Sequence, residues 1–357
     1  MLALVRNELW GEPLACRVSE DEVAEVLQTA KEQSVSGLVA NAIVRNRLPV
    51  GEDMTMEVCA IQKLHEKKSA DMNAEIALFA GFLNRRNLQY VIMKGQTMAA
   101  LYPHPEMRTT GDIDFYCPKN AFPEVQQAIE ERLGVVMKHN GSKKHDNFKI
   151  EGFAFEMHTD MTDFGYFGYQ KYWNRHIDPQ IAPTSVVVNI AGEKVRTLSP
   201  TMDALYIFVH AFYHLILNGN GMGLKQYCDW CMVMDRLHEE IEFDKLEKHL
   251  KSLKLMDAYR AIGAFCVAKL GLPEEKLKCQ LTENDRLWPD RILSNFFEVR
   301  DLSRRAYTSR GVSVKHSFAT FRIVAKQVKT YFSLAPVELL FRIPEMAAWS
   351  VKKRLIS

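Results

Sequence analysis

Residues 112–117 read Asp-Ile-Asp-Phe-Tyr-Cys, and this short run constrains the fold more than any other part of the chain. In a strand, alternate side chains share a face, so Asp112 and Asp114 project together while Ile113 and Phe115 enter a core. Two carboxylates side by side repel each other and cost stability unless a cation lies between them. The run therefore predicts a strand with one packed face and one face that holds a divalent ion. A second run, Phe-Ala-Phe-Glu-Met-His at 153–158, puts Phe153, Phe155 and Met157 on one face and Glu156 and His158 on the other. If it pairs beside 112–117, Glu156 brings a third carboxylate to the same cluster. Three carboxylates make a hard-cation site suited to Mg²⁺ or Mn²⁺.

The surroundings predict an α+β protein. Ser19, followed by Asp21 and Glu22, reads as a helix cap with an acidic first turn, and Val23, Val26, Leu27 and Ala30 follow at helical spacing. Helical character continues to Leu88. QYVIMK (89–94) is then a β-type run ending at Gly95, and NFKI and FAFEMH read as a hairpin turning at Glu151-Gly152. Between them, residues 118–134 have helix spacing and stop at Gly134. VVVNI and KVRTL (186–198) form a second hairpin around Ala191-Gly192. Ser199-Pro200 starts the helices again, with proline at a position where its missing N–H costs nothing. Leu205, Phe208, Val209 and Phe212 mark the first of these helices, residues 221–240 the next, and residues 243–270 one or two more. The expected organisation is a helical region at 1–88, a mixed α/β core at 89–198, a helical domain at 199–302 and a basic amphipathic segment at 303–357.

Composition narrows the function classes. Of 357 residues, 47% are hydrophobic and 25% charged, which allows a proper core. The 46 basic and 44 acidic residues nearly cancel, so no whole-molecule field points to nucleic acid. That balance hides an asymmetry: residues 303–357 carry eleven Lys/Arg against two acids, a net +9, and the remainder carries −7. The apolar stretch 204–217 is shorter than a membrane span needs and contains His210 and His214. MLALVRNELWGEP does not read as a signal peptide, and the seven scattered cysteines fit reduced thiols, so a cytoplasmic location is expected. Cys228 and Cys231 form the one close pair, in surroundings that look helical, and read as structural thiols.

The strand ending in Lys94-Gly95 leads into the helical run TMAALY, whose N–H groups suit a phosphate. Lys94 and Arg108 add positive charge nearby. An anion cradle beside a carboxylate metal site is what metal-assisted phosphoryl or nucleotidyl transfer requires.

These residues resemble the nucleotidyltransferase superfamily that includes DNA polymerase beta. More closely, Lys94-Gly95, Leu101-Tyr102-Pro103, Arg108, Gly111-Asp112-Ile113-Asp114 and Glu156-Met157-His158 look like an uncharacterised bacterial nucleotidyltransferase family with a K-G…Y-P…R…G-D-I-D pattern. Leu198-Ser199-Pro200, His210 and the stretch from Gly223-Leu224-Lys225 to Cys228-Asp229-Trp230 match its helical half. The resemblance spans about residues 75–240. It implies a minimal nucleotidyltransferase mixed sheet of four to five strands, flanked by N-terminal and C-terminal helical regions, with two Mg²⁺ ions and an NTP donor. It further implies that Asp112 and Asp114 carry the metals and that Glu156 completes one metal site and positions or deprotonates an acceptor hydroxyl. Lys94, Gly95, Gln96, Thr97, Arg108 and Gly111 would receive the triphosphate. The superfamily usually has Gly-Gly or Gly-Ser at the turn; here Gly95-Gln96 lacks the serine hydroxyl, with Thr97 as a replacement. The 15 residues between Gln96 and Asp112 slightly exceed the usual spacing.

Other residues keep two readings. Lys225 and Asp229, one turn apart, are either a simple helical ion pair or contacts to base and ribose. His158 either orients Glu156 or touches the acceptor. His210 and His214 share a helix face, without the following Glu of a zinc helix, and His210 belongs near the nucleotide through the family resemblance. The segment 314–332, with Phe318, Phe321, Val324, Ala325 and Val328 at helical spacing, either docks on the acidic remainder or faces an anionic acceptor or membrane surface. The acceptor class stays open among small molecules, glycan-related compounds and proteins. A DxD glycosyltransferase and a non-catalytic nucleotide-binding scaffold are the alternative functions; the helical first 88 residues disfavour the former and the three carboxylates the latter.

Overall fold

The computed structural model describes residues 1–14, 19–134, 137, 145–217, 223–296 and 325–343. In chain order the elements include α1 (Leu2–Trp10), α2 (Glu20–Glu32), α3 (Ser36–Arg45), α4 (Glu52–Arg85), β1 (Val91–Met93), α5 (Gln96–Ala99), β2 (Ile113–Tyr116), α6 (Phe122–Leu133), β3 (His145–Ile150), β4 (Phe153–His158), α7 (Phe167–His176), α8 (Asp178–Thr184), β5 (Val186–Ile190), β6 (Glu193–Thr197), α9 (Pro200–Leu217), α10 (Lys225–Arg236), α11 (Phe243–Ser252) and α12 (Met256–Phe265). The chain divides into two compact units. The first comprises Met1–Met161, Asn174–Tyr206 and Met232–Ile241; the second comprises Thr162–Trp173, Ile207–Cys231 and Glu242–Ser357.

The first unit holds a six-stranded mixed sheet in the order β3-β4-β2-β1-β6-β5. The protein is α+β, with two more strands than the resemblance implies at the lower count and one more at the higher. The extra strands arise because each hairpin contributes both of its arms. In both hairpins the turn residues take positive φ, Glu151 (47°) with Gly152 (88°) and Ala191 (48°) with Gly192 (87°). Such turns match the twist of the strands they join. β2 runs antiparallel to β1 and parallel to β4, and β1 runs parallel to β6.

Helix α4 supplies the cover for one sheet face. Met72, Ile76, Phe79 and Leu83 fall at helical spacing and are buried with Ile92, Ile113, Phe115, Phe155 and Met157. Phe79 lies at the centre, its ring centroid 4.7 Å from that of Phe155 and 5.1 Å from that of Phe115. The apolar side chains of β2 and β4 therefore enter one core, as their alternation predicts. The Ser19 capping box also forms, with Glu22 accepting from the Ser19 N–H at 2.8 Å.

The second unit is aromatic at its centre. Phe208 packs on Trp230 and Tyr259, and Tyr227 on Phe265. Cys228 and Cys231 are buried in this apolar setting as free thiols. Of the basic segment, residues 303–324 and 344–357 lie outside the described residues, including Phe318, Phe321 and Val324. Within the described part, Arg342 is only 8% exposed and bonds Glu338 at 3.2 Å and Asp163 at 3.3 Å. Glu338 in turn accepts from the backbone N–H groups of Gly165 and Tyr166. Arg342 of the eleven basic residues is thus spent within its own chain.

One buried carboxyl in the first unit is energetically costly. Asp203, in the first turn of α9, has an Oδ1 with no hydrogen-bond partner among the described residues, and burial pushes its carboxyl well above the ordinary carboxylate range. A folded-state value raised above the unfolded value of about 3.9 means that the native state binds the extra proton, so stability falls as pH rises past that value. Asp203→Asn is expected to raise the thermal midpoint relative to the wild type by an amount that grows from pH 4.5 to pH 7.5. A pH-independent offset would contradict this.

Candidate active site

Register places the carboxylates. β2 and β4 pair in parallel with Asp114 opposite Glu156 and Tyr116 opposite His158, so all four share the sheet face away from α4. His158 Nε2 lies 2.8 Å from Asp114 Oδ1 and 3.6 Å from Glu156 Oε2. Among the described residues, Asp114, Glu156 and His158 offer ligand atoms within 4.8 Å of one another. Asp112 stands one residue before β2 and is exposed, outside that tight group.

A cation already answers the buried charge. Lys94 Nζ sits 3.1 Å from Asp114 Oδ2 and over the ring of Tyr206 at 5.8 Å. Burial works against the charge on each partner, but mutual attraction wins. Asp114, Tyr206 and Asp112 hold the Lys94 ammonium charged well above its usual range, and Lys94 and His158 hold the Asp114 carboxyl well below the usual carboxylate range. Burial pushes the Tyr206 hydroxyl up to about 12.

The turn after β1 is tightly specified. Lys94 has φ 56° and Gly95 has φ 58° with ψ −126°, a region essentially reserved for glycine. The nearest atom that a Cβ at Gly95 would meet is the Asp112 carbonyl oxygen, 3.8 Å away, so the obstacle is backbone conformation and not space. Gly95→Ala is expected to cost about 1–3 kcal/mol of stability. A urea midpoint equal to that of the wild type would contradict it.

The remaining expected residues fall as follows. The helical run after Gly95 is one turn, α5, rather than a longer helix. Gln96 is buried, and its Nε2 donates to Ser69 Oγ at 3.0 Å and Asn73 Oδ1 at 2.9 Å, so this side chain ties the turn to α4. The Thr97 hydroxyl donates to the Lys94 carbonyl at 2.7 Å, closing the same turn. Arg108 is buried and donates to the Thr109 carbonyl at 3.4 Å; Gly111 is exposed next to Asp112. His210, Lys225 and Asp229 belong to the second unit, where Gln226 lies 3.5 Å from His210 and the His210 and His214 rings are 4.4 Å apart.

Sequence reasoning missed three contributors. Tyr206 is hidden in the apolar periodicity of α9, and Ser69 and Asn73 lie on α4, far from the turn in sequence. A cavity of about 670 Å³ opens at the other end of β1 and β2, lined by Tyr90, Tyr116, Lys119, Asn174 and Arg196 among others. None of the residues expected to carry chemistry lines it.

A family model described as uncharacterised nucleotidyltransferase matches residues 19–271. The chain belongs to that family. The match runs from the cap of α2 to the residue after the turn that follows α12, and so includes all of the sheet. Two solved structures are similar to this nucleotidyltransferase. One is an antigenic nucleotidyltransferase-like protein from Paracoccidioides brasiliensis, 18% identical, covering 59% of this chain and 93% of its own, with a TM-score of 0.36. The other is the antibiotic-resistance factor ANT(2'')-Ia, 17% identical, covering 51% of this chain and 89% of its own, with a TM-score of 0.35. No curated protein matches the chain at a significant level. Among the described residues, no helix is long and apolar enough to cross a membrane.

Proposed function

We propose that this nucleotidyltransferase is a divalent-metal-dependent enzyme that moves a nucleoside monophosphate from an NTP to an acceptor hydroxyl. The observation that carries the reading is the parallel register that sets Asp114 beside Glu156, with Lys94 against the same carboxylate.

The donor set fits Mg²⁺ or Mn²⁺: a buried carboxylate held ionised, a second carboxylate in register with it, and Asp112 at the entry of the strand. Asp112, Asp114 and Glu156 would hold the metal, as one ion or a pair. A divalent ion held by these residues would supply charge neutralisation for the transferring phosphoryl group and would make the acceptor hydroxyl easier to deprotonate. Glu156 accepts the proton of the acceptor hydroxyl. The acceptor oxygen forms a bond to the α-phosphorus, the bond from that phosphorus to the bridging oxygen breaks, and pyrophosphate leaves. Lys94 is the nearest cation for the triphosphate, with Arg108, the Gly95–Thr97 turn and Gly111 at the same end of β1 and β2. The acceptor is a small molecule, a glycan-related compound or a protein, and the setting is cytoplasmic.

The first 88 residues bear on the alternatives. Their described part is helical, whereas a DxD glycosyltransferase needs a long α/β half before its carboxylate pair. The test is incubation with each labelled NTP and Mg²⁺ or Mn²⁺, reading pyrophosphate release and nucleotide adducts by mass spectrometry on the protein and on cell-extract components. Release with at least one NTP supports the proposal. NTP-induced thermal stabilisation without release or adduct would favour the non-catalytic reading.

A further inference from the structure

We infer that His158 is itself a metal ligand, so that Asp114, Glu156 and His158 form a mixed nitrogen and oxygen site that prefers Mn²⁺ to Mg²⁺. The inference rests on the metal-dependent reading above and goes further by naming the ligand and the metal class it selects.

Three observations carry it. First, β4 places His158 two residues after Glu156, on the same face, and opposite Tyr116 of the neighbouring strand. The imidazole position is therefore imposed by the same ladder that positions the carboxylates. Second, one nitrogen, Nε2, approaches both carboxylates, at 2.8 Å from Asp114 and 3.6 Å from Glu156. Ligands bound at about 2.1 Å to one ion lie roughly 3 to 4.2 Å apart, so these atoms need only small adjustments to share one. Third, Asp114 is 3% and His158 9% exposed, and Lys94 takes one oxygen of Asp114, Oδ2, leaving Oδ1 to face the imidazole.

The consequence is chemical. Carboxylate and water ligands suit Mg²⁺, whereas an imidazole shifts preference toward Mn²⁺ and later transition metals. Asp112 is exposed and lies outside this compact group. A histidine that merely orients Asp114 by hydrogen bonding would give no such selectivity.

Pulsed electron paramagnetic resonance of the Mn²⁺-loaded full chain tests this without reference to turnover. The wild type should show nitrogen modulation from a directly bound imidazole. His158→Gln, which keeps a polar side chain of similar reach, should lose the modulation and bind Mn²⁺ at least about tenfold more weakly, with a smaller change for Mg²⁺. Labelling the wild type with ¹⁵N-histidine should alter the modulation, a result that needs no folded variant. Mn²⁺ bound without nitrogen modulation, or modulation that survives in a folded His158→Gln, overturns the inference and leaves the metal-dependent reading standing. Failure of the wild type to bind Mn²⁺ or Mg²⁺ at all overturns both.

Discussion

Asp114→Asn is expected to lower pyrophosphate release by at least about a thousandfold, equivalent to about 4 kcal/mol of transition-state stabilisation. The carboxylate is central to the arrangement: it lies opposite Glu156 in the ladder, within 2.8 Å of His158 and 3.1 Å of Lys94. An amide preserves shape but removes the charge that both Lys94 and a divalent ion require. The same substitution leaves a buried ammonium without its counter-charge, which should cost about 1.5–3 kcal/mol of stability. The two effects separate in a double variant. Adding Lys94→Met to Asp114→Asn should restore part of the lost stability and none of the lost activity. Turnover retained within tenfold in folded Asp114→Asn would remove Asp114 from the chemistry.

The largest effect on stability is expected from Phe79→Ala, at about 3–5 kcal/mol out of the roughly 5–15 kcal/mol that a folded domain possesses. Phe79 is 3% exposed and meets the rings of Phe115, Phe148 and Phe155 from three strands. Truncation would open a cavity between α4 and the sheet that rigid strands cannot close. The adjacent Leu78 is 68% exposed, and Leu78→Ala should change stability by no more than about 0.5 kcal/mol. Urea unfolding of the pair checks the contrast; similar midpoints for both variants would show that α4 is not the cover of this sheet.

Part of the sheet was legible because residues 112–115 and 153–158 alternate between two faces. FAFEMH and VVVNI occupy the expected positions, and Ile113, Phe115, Phe155 and Met157 enter the core that their period-2 pattern requires. The hairpin turns were legible from Glu-Gly and Ala-Gly pairs. Two features were not. Gln96 read as a contact to phosphate because the family pattern places a ligand-binding residue there, yet an amide at the start of a one-turn helix found closer partners in Ser69 and Asn73, 23 residues or more upstream. Such long-range hydrogen bonds leave no periodic trace. Likewise, pairing between β2 and β4 could be posed from the sequence only as a condition, since strand order is a tertiary choice and alternation says nothing about neighbours. Asp114 and Glu156 carried the correct face; the ladder supplied their adjacency.

That ladder makes assembly of the site an all-or-none event. The strands that bring Asp114 and Glu156 together are not sequence neighbours, for α6 and β3 intervene, and their pairing must wait for a long loop to close. A slip of β4 by a single residue would turn Glu156 and His158 toward Phe79 and expose Phe155 and Met157 instead. The hydrophobic pattern that stabilises the native register therefore also proofreads the charge cluster: a misaligned molecule has no partly built site, only an unstable sheet. Recovery of metal binding during refolding should accordingly follow the slowest step of sheet formation, making a bound ion a direct clock for when the central strands have found their places.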